Sequence, residues 1–373
     1  MRTRCFRRGM AILVLSIVFS AAHGFAQQRP SSSDARTFAK RAHRLATSAT
    51  SLDEFTESLR VCQRSLAAHP AAATRAYVEQ LASWIYNKRG EQLVQLAEDV
   101  VERDAQRAAK YKRAAVGDFD LAVRLDKTNW QSRYNRAVSV AVLGKYQQAL
   151  DDLDVVIQER PRHKNARFNR AEILFQLGKF QQAVDSYSQA IELDPRDAAA
   201  HSGRGLAYLE LGDFDKTLLD LNTVVRLDPD NAEAYVDRAD LYATIANWER
   251  AAGDYRVAIS LNNQLPWAYQ NVAWLMATCP DKRFRNASLA VRAAKRAIEL
   301  GGSDFRRLDT LAAALASAGN FAQATESVKK AISSAPEEEV AELEQRWRLY
   351  QSQRPFRDVV DSPVRLASAE ETE

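Results

Sequence analysis

The side chains that most often carry catalysis are few in this sequence and lie far apart. His43, His69, His163 and His201 follow no metal-ligand spacing, and no carboxylate set accompanies them in a recognised pattern. The sequence also lacks a glycine-rich phosphate loop and a nucleophile elbow. It therefore predicts a protein that is not an enzyme and that needs no cofactor and no metal ion.

The cysteines predict neither a disulfide nor redox chemistry. Cys5 belongs to an N-terminal segment that we expect to be removed, which leaves Cys62 and Cys279. Two thiols this far apart make neither a metal site nor a redox motif. We expect both to be small buried hydrophobic residues.

Residues of opposite charge recur along the chain and offer two interpretations. The recurring residues are the arginines Arg136, Arg170, Arg204 and Arg238 and the aspartates Asp152, Asp185, Asp220 and Asp254. They could form a basic stripe that binds an acidic ligand, or a ladder in which each arginine pairs with an acid of the preceding repeat. The matched periodicity of both signs favours the ladder, in which each exposed pair contributes only ~0–1 kcal/mol.

A repeat of 34 residues must position these side chains. Leu-Gly-Lys-Tyr at 143–146 returns as Leu-Gly-Lys-Phe at 177–180 and as Leu-Gly-Asp-Phe at 211–214. Each unit predicts two amphipathic helices, with the glycine in the tight turn between them and small residues where the helices cross. One such hairpin cannot bury its apolar face alone, so we expect neighbouring hairpins to stack.

The repeat resembles the tetratricopeptide repeat (TPR) family over 130–163, 164–197, 198–231, 232–265 and again over 305–338. The unit at 266–304 has five extra residues within 279–286, so its turn is enlarged. Its segment Ala-Trp-Leu-Met-Ala-Thr-Cys-Pro-Asp at 273–281 resembles a variant unit of certain bacterial TPR proteins. The resemblance implies an all-α, right-handed superhelical solenoid of antiparallel helix hairpins.

Both ends of the array predict helices that depart from the repeat. Residues 27–129 predict degenerate hairpins, with helices over 34–47, 52–68 and 74–87 and an uninterrupted helical stretch over 91–117. Residues 339–357 predict a capping helix with Val340, Leu343, Trp347 and Tyr350 on its apolar face. Residues 358–373 predict a disordered acidic tail.

The resemblance also implies a protein-binding groove on the concave face. Its lining residues would be Tyr134, Asn135, Phe168, Asn169, Glu172, Phe175, Asp237, Asp240, Trp267 and Asn271. In the family, side-chain amides at such positions hydrogen-bond a bound peptide. The alternative is that these polar residues only solvate an exposed helix face, and the sequence leaves both interpretations open.

A chaperone-tail clamp, which some family members carry, is not supported. That site needs Lys and Asn in the first unit and two basic residues in the third. Tyr134, Val138, Ala199 and Gly203 occupy these positions.

The first 26 residues predict a secretory signal peptide. Four arginines precede an apolar stretch over 10–19, and small residues suit cleavage after Ala26. An uncleaved membrane anchor is the alternative, although the apolar stretch is shorter than the ~20 residues of a spanning helix. Removal of these four arginines from the 52 basic residues leaves 48, which equals the 48 acidic residues, so net charge gives no reason to expect nucleic-acid binding.

These observations predict a non-catalytic scaffold, exported to the periplasm or cell envelope, that binds a peptide or helix of another protein. The partner is not identified, and no membrane span is expected after cleavage. The alternative is a structural envelope component that self-associates or binds cell-wall glycan. Glycan binding would need paired exposed aromatics on one rim, such as Trp248, Trp267 and Trp274.

Overall fold

The computed structural model describes residues 32–358, so the predicted signal peptide and most of the predicted tail lie outside the described residues. Within this range the chain forms seventeen α-helices and no strand. The helices are α1 Ser32–Ser48, α2 Leu52–Ala67, α3 Ala72–Val100, α4 Ala105–Leu125, α5 Trp130–Val142, α6 Tyr146–Glu159, α7 Lys164–Gln176, α8 Phe180–Leu193, α9 Ala198–Glu210, α10 Phe214–Leu227, α11 Ala232–Thr244, α12 Trp248–Leu261, α13 Pro266–Thr278, α14 Ala287–Gly301, α15 Phe305–Ser317, α16 Phe321–Ser334 and α17 Glu337–Gln351. The all-α fold class is as predicted.

The chain divides into two compact units between Gly178 and Lys179, and each is described by itself. The first unit contains the hairpins α1/α2, α3/α4 and α5/α6, followed by α7. Phe55, Leu59 and Ile85 belong to the core that joins its first three helices. Each hairpin therefore buries its apolar face against the next one, as the repeat predicts.

The second unit begins with α8 and contains the hairpins α9/α10, α11/α12, α13/α14 and α15/α16, with α17 packed on the last. Its largest core includes Tyr242, Tyr255 and Leu265 from α11 and α12 and the residue before α13. A further core includes Leu343 and Tyr350 of α17, which stand on the apolar face that the sequence assigns to a capping helix. Among residues 32–358, no helix is long and apolar enough to span a bilayer.

The turns of the repeats adopt the predicted conformation. Gly144, Gly178 and Gly212 have φ values of 72°, 70° and 76°, a region that penalises a side chain. At the equivalent place in the next repeat Ala246 adopts φ 62° despite its Cβ atom. The first helices of these repeats also begin in the same way, because a side chain at the N-cap accepts a backbone N–H of the first helical turn. The capping residues lie one repeat apart and are Asn129, His163, Asp197 and Asn231.

The prediction of a helix ending near Asn87 and a second one over 91–117 is wrong. The long helix is α3, and it runs through Gly90, where an added Cβ would lie 2.5 Å from the ring of Phe119. The glycine therefore permits close packing of α4 rather than a break. The break comes at 101–104, where the side chain of Asp104 accepts the N–H of Arg107 and starts α4.

The prediction that disorder begins at residue 358 is wrong for Asp358 itself. The backbone N–H of Asp358 donates to the carbonyl of Thr278 at 3.0 Å. Its carboxylate accepts from Trp274 Nε1 at 2.7 Å and from Thr278 Oγ1 at 3.0 Å. The segment after α17 therefore returns to α13, a long-range contact that local composition does not reveal.

Candidate functional site

The repeated arginines bind carboxylates within the protein. Arg136 donates through Nε and Nη2 to both oxygens of Asp152 on α6, and Nη1 reaches Asp120 on the preceding hairpin at 2.8 Å. Arg204 makes the same bidentate contact with Asp220. The sequence predicts that each arginine pairs with an acid of the preceding hairpin, as Arg136 does with Asp120. The bidentate contact, however, lies within one hairpin. The arginines are consequently not a free basic stripe.

The periodic aspartate set contains one residue that is not part of this pattern. Asp185 is exposed and accepts from Gln181 at 3.1 Å, one helical turn away. Position 186, which is one repeat from both Asp152 and Asp220, is a serine. Arg170, on the first helix of that repeat, contacts Asp154 of the preceding hairpin at 2.7 Å. The assignment of Asp185 to the ladder is therefore wrong, because it lies one residue out of register.

Asn135 joins α5 to α3 through a polar cluster in the first unit. Its Nδ2 donates to Asn87 Oδ1 at 3.0 Å and to Glu91 Oε1 at 3.2 Å. Asn87 and Lys88 also donate to the carboxylate of Glu91, at 2.7 and 2.8 Å. A carboxylate only accepts, so Glu91 orients both amides and turns their oxygen atoms away from itself.

A cavity of about 440 Å³ adjoins this cluster and adds residues that the repeat could not indicate. Trp84, Asn87 and Glu91 of α3 line it together with Trp130. Trp84 is 40% exposed, although it is a large apolar side chain. Asn87 precedes Asn135 by 48 residues rather than 34, so periodicity could not connect them.

Aromatic side chains connect α5 to α7 beside this cluster. Asn169 Nδ2 donates to Tyr134 Oη at 2.9 Å, and burial raises the pKa of this tyrosine. The ring of His163 lies 4.8 Å from that of Tyr134 and 5.3 Å from that of Trp130. The guanidinium of Arg160 lies over Trp130 at 5.2 Å. Two predicted site residues, Tyr134 and Asn169, are thus in direct contact.

The other predicted residues of α7 are Phe168, Glu172 and Phe175, and all three are half-buried. At the repeat-equivalent of Asn169, Gly203 is required by packing, because an added Cβ would lie 2.5 Å from the Tyr187 ring. The polar character of that position is therefore not maintained in every repeat.

In the second unit, Asn271 connects α13 to α11. Its Nδ2 donates to both carboxylate oxygens of Asp240, at 2.8 and 3.0 Å, and Tyr255 Oη donates to the same carboxylate at 2.5 Å. Burial, followed by the charge of Asp240, raises the pKa of Tyr255. Asp237 and Trp267 are half-buried on the same two helices. In each unit, predicted residues therefore link the first helices of adjacent hairpins, through Asn169 and Tyr134 in the first unit and Asn271 and Asp240 in the second. We call the surface that carries these residues the first-helix face of that unit.

The first-helix faces present mainly hydrogen-bond acceptors. The amide of Asn135 donates to Asn87 Oδ1 and to the Glu91 carboxylate, and the amide of Asn271 donates to the Asp240 carboxylate, whereas the Oδ1 atoms of Asn135 and Asn271 accept no hydrogen bond within residues 32–358. Asp240 adds negative charge beside Asn271, whereas the charge of Glu91 is paired with Lys88 at 2.8 Å. Such a surface can accept hydrogen bonds from peptide N–H groups or from lysine and arginine side chains.

The three tryptophans that the glycan hypothesis names do not form an exposed pair. Trp248 and Trp267 are partly buried against the core that contains Tyr255. Trp274 packs on another core, and its indole N–H is bonded to Asp358. The glycan hypothesis therefore loses its main support.

The described residues offer no evident catalytic centre. His201 Nδ1 lies 2.9 Å from Asp220 and Nε2 lies 3.2 Å from the Pro195 carbonyl, so both nitrogens are occupied in the core. Within residues 32–358, no three His, Cys, Asp or Glu side chains come together as metal ligands. Cys62 and Cys279 are free and buried, as expected, and burial raises the pKa of the Cys62 thiol to about 12.

Comparisons with known proteins agree with this architecture. The family model described as TPR repeat matches residues 171–212 and 205–245. A tetratricopeptide repeat protein from Parabacteroides merdae is 17% identical, with a TM-score of 0.52 over 70% of this chain and 98% of that one. YrrB, described as a TPR protein with an unusual peptide-binding site, is 21% identical over 60% and 98%, with a TM-score of 0.42. MamA from Desulfovibrio magneticus RS-1 is 20% identical over 47% and 95%, with a TM-score of 0.41.

No curated protein sequence matches the chain. Its hairpins, turn glycines and stacked cores define a helical-repeat solenoid. The chain therefore contains tetratricopeptide repeats over residues 171–245.

Proposed function

We propose that this protein is an exported interaction scaffold that binds a peptide or helix of another protein on its first-helix faces. The observation that carries the proposal is the acceptor-rich pair of clusters, Asn135 with Glu91 and Asn271 with Asp240. Aromatic side chains stand next to each cluster, and aromatic anchors are enriched in protein interfaces. A TPR scaffold acts by binding, and the described residues offer no arrangement suited to catalysis.

The chemistry of these faces favours a partner segment that supplies donors. The extended or helical backbone of a peptide presents N–H groups at its ends or along one edge, and basic side chains present more. Phe168 and Tyr134 would contact apolar side chains of the same segment. A basic, amphipathic segment is therefore the partner class that we favour.

Export rests on the first 26 residues, which combine four arginines, an apolar stretch and small residues before Ala26. We assign the mature protein to the periplasm or cell envelope and expect it to begin at Gln27. N-terminal sequencing of the native protein tests this assignment. A native chain that begins at Met1 would contradict cleavage and would favour an anchor.

The binding proposal is tested by cross-linked affinity capture of the tagged protein from its native envelope. We compare the wild type, Phe168→Ala with Asn169→Ala, and a control with Leu219→Ala and Gln189→Ala, two exposed residues on second helices. The same partner should be recovered with the wild type and the control and lost with the first variant. All three proteins should melt at similar temperatures.

Two results would contradict the proposal. A partner recovered equally with the Phe168/Asn169 variant would exclude the first-helix face of the first unit as its binding site. Recovery of the chain alone, still as a multimer in that variant, would favour the structural component that self-associates.

A further inference from the structure

A second cavity lies in the second unit, away from the first-helix face. It has a volume of about 610 Å³ and is bordered by α12, α13, the enlarged turn and α14. Its apolar lining includes Ile259, Val272, Leu275, Met276 and Ala293. A volume of this size accommodates several side chains of a bound molecule.

The two sides of α13 carry different surfaces. Tyr269, Val272 and Met276 line the cavity, and their spacing of three and four residues places them on one side of the helix. Asn271 and Trp274 point elsewhere, since they bond Asp240 and Asp358. The cavity is therefore a surface distinct from the one proposed above.

The enlarged turn forms one wall of the cavity and is held in place by hydrogen bonds. The Asn286 N–H donates to the Met276 carbonyl at 3.0 Å, which joins the end of the turn to α13. Arg285 Nη1 donates to the carbonyls of Cys279 and Pro280, at 3.0 and 3.1 Å. The five extra residues of this repeat thus build an ordered wall that the regular repeats lack.

Every charged side chain in the lining is an arginine. These residues are Arg256, Arg283, Arg285, Arg292 and Arg296. Arg283 pairs with Asp281 and Arg296 with Glu299. Within residues 32–358, no carboxylate lies at salt-bridge distance from the other three, Arg256, Arg285 and Arg292.

This arrangement contrasts with the arginines of the repeats, such as Arg136 and Arg204, whose charges are met by buried aspartates. Arg256 and Arg292 are exposed and Arg285 is half-buried, so their guanidinium groups can be reached from solvent at the edge of the apolar cavity. Guanidinium groups bind carboxylates in a strong bidentate geometry. The three arginines stand on α12, the turn and α14, so they suit several separate carboxylates better than one head group.

We propose that this cavity, which we call the arginine-rimmed cavity, is a second docking surface for an acidic amphipathic segment of a partner protein. Apolar side chains of the segment enter the cavity against Val272, Met276 and Leu289. Its carboxylates pair with Arg256, Arg285 and Arg292. The scaffold then holds two segments of opposite charge on two different surfaces.

The test uses a fluorescein-labelled helical peptide with leucines at i, i+3, i+4 and i+7 and glutamates elsewhere, and a matched uncharged peptide with glutamines in place of glutamates. Fluorescence anisotropy with the full mature chain measures both affinities. We expect the acidic peptide to bind about tenfold more tightly than the uncharged one, and we expect its affinity to fall as salt is added. Leu289→Asn, at a residue 39% exposed, should also weaken it.

Arg256→Glu with Arg292→Glu should reduce the affinity of the acidic peptide about tenfold or more. The control, Arg226→Glu with Lys295→Glu, makes the same charge change at exposed residues outside the lining and should leave the affinity unchanged. Thermal melts show whether each variant is folded. Equal loss in both variants, or no loss in either, would overturn the proposal.

Vesicles of phosphatidylglycerol test whether the cavity binds an anionic lipid instead of a peptide. In one outcome, the wild type sediments with the vesicles, the Arg256→Glu/Arg292→Glu variant does not, and the acidic peptide fails to bind. That combination would assign the cavity to a lipid and would refute the proposal of a peptide ligand. Phe168→Ala with Asn169→Ala should leave acidic-peptide binding intact. This result separates failure of the second surface from failure of the first.

Discussion

The guanidinium of Arg136 donates to both carboxylate oxygens of Asp152, through Nε at 2.8 Å and Nη2 at 2.7 Å. The two side chains are only 13% and 5% exposed, so this ion pair is shielded from water. Arg133 Nη1 lies 3.6 Å from the same carboxylate. Asp152 therefore balances two half-buried arginines at the crossing of α5 and α6.

Asp152→Ala should destabilise the first unit strongly, because it leaves Arg136 and Arg133 without this partner. We expect a loss of about 3 kcal/mol. Asp154→Ala is the matched control, since Asp154 is 57% exposed in its contact with Arg170 and such pairs contribute only ~0–1 kcal/mol. Urea unfolding of both variants provides the comparison. Equal losses would show that burial of the pair does not determine its contribution.

Ala246→Gly should stabilise the turn between α11 and α12. Ala246 adopts φ 62°, where a Cβ atom costs about 1–2 kcal/mol, and the greater freedom of an unfolded glycine offsets part of that gain. We expect a net gain of about 0.5–1 kcal/mol. Gly212→Ala, at φ 76°, should produce a loss of similar size. Thermal melting of the two variants shows whether each one gains or loses stability. A loss of stability in Ala246→Gly would show that the backbone of Ala246 is not strained.

Local features of this fold follow from the sequence, whereas features that join distant segments of the chain do not. Turn conformations such as that of Gly144, and the burial of small crossing residues such as Ala137, follow from the repeat because each is fixed within one hairpin. Gly90 shows the limit. A glycine in a helix suggests a break, but its cause is the ring of Phe119, 29 residues later in the chain.

The candidate sites follow the same division. The sequence selected Asn135, Asn271 and Asp240 as groove residues but did not indicate that Asn271 binds Asp240, which lies 31 residues away on another helix. It missed Glu91, the carboxylate that Asn135 binds at a separation of 44 residues. The sequence also located the enlarged turn at 279–286 without indicating what it encloses. The arginine-rimmed cavity draws its charged residues from three elements, and no local pattern reveals that they converge.

Cys62 should resist alkylation in the folded protein. Its side chain is 1% exposed, and burial raises the pKa of the thiol to about 12, so the reactive thiolate is scarce at neutral pH. Iodoacetamide labelling followed by mass spectrometry should modify Cys62 only when urea is present. Rapid labelling of the native protein, at a rate independent of urea, would show that α2 opens readily.

The stability of the C-terminal hairpin and its cap should depend on pH through Asp309. Burial raises the pKa of Asp309 from 3.8 to about 6, against the opposing effect of Arg346, whose Nε lies 3.0 Å from the carboxylate. Because the folded-state pKa is the higher one, the folded chain binds this proton more tightly than the unfolded chain. The contribution of Asp309 is therefore fully present below the unfolded pKa and is lost as the pH rises through about 6.

Asp309→Asn removes this titration while it keeps the shape of the side chain. The difference in unfolding free energy between wild type and variant should shift in favour of the wild type by about 1 kcal/mol from about pH 8 to about pH 5. Urea unfolding across that range measures the difference, and Asp154→Asn, at an exposed carboxylate, is the control that should stay flat. A difference that moves in favour of the variant as the pH falls would mean that the bond to Arg346 outweighs burial.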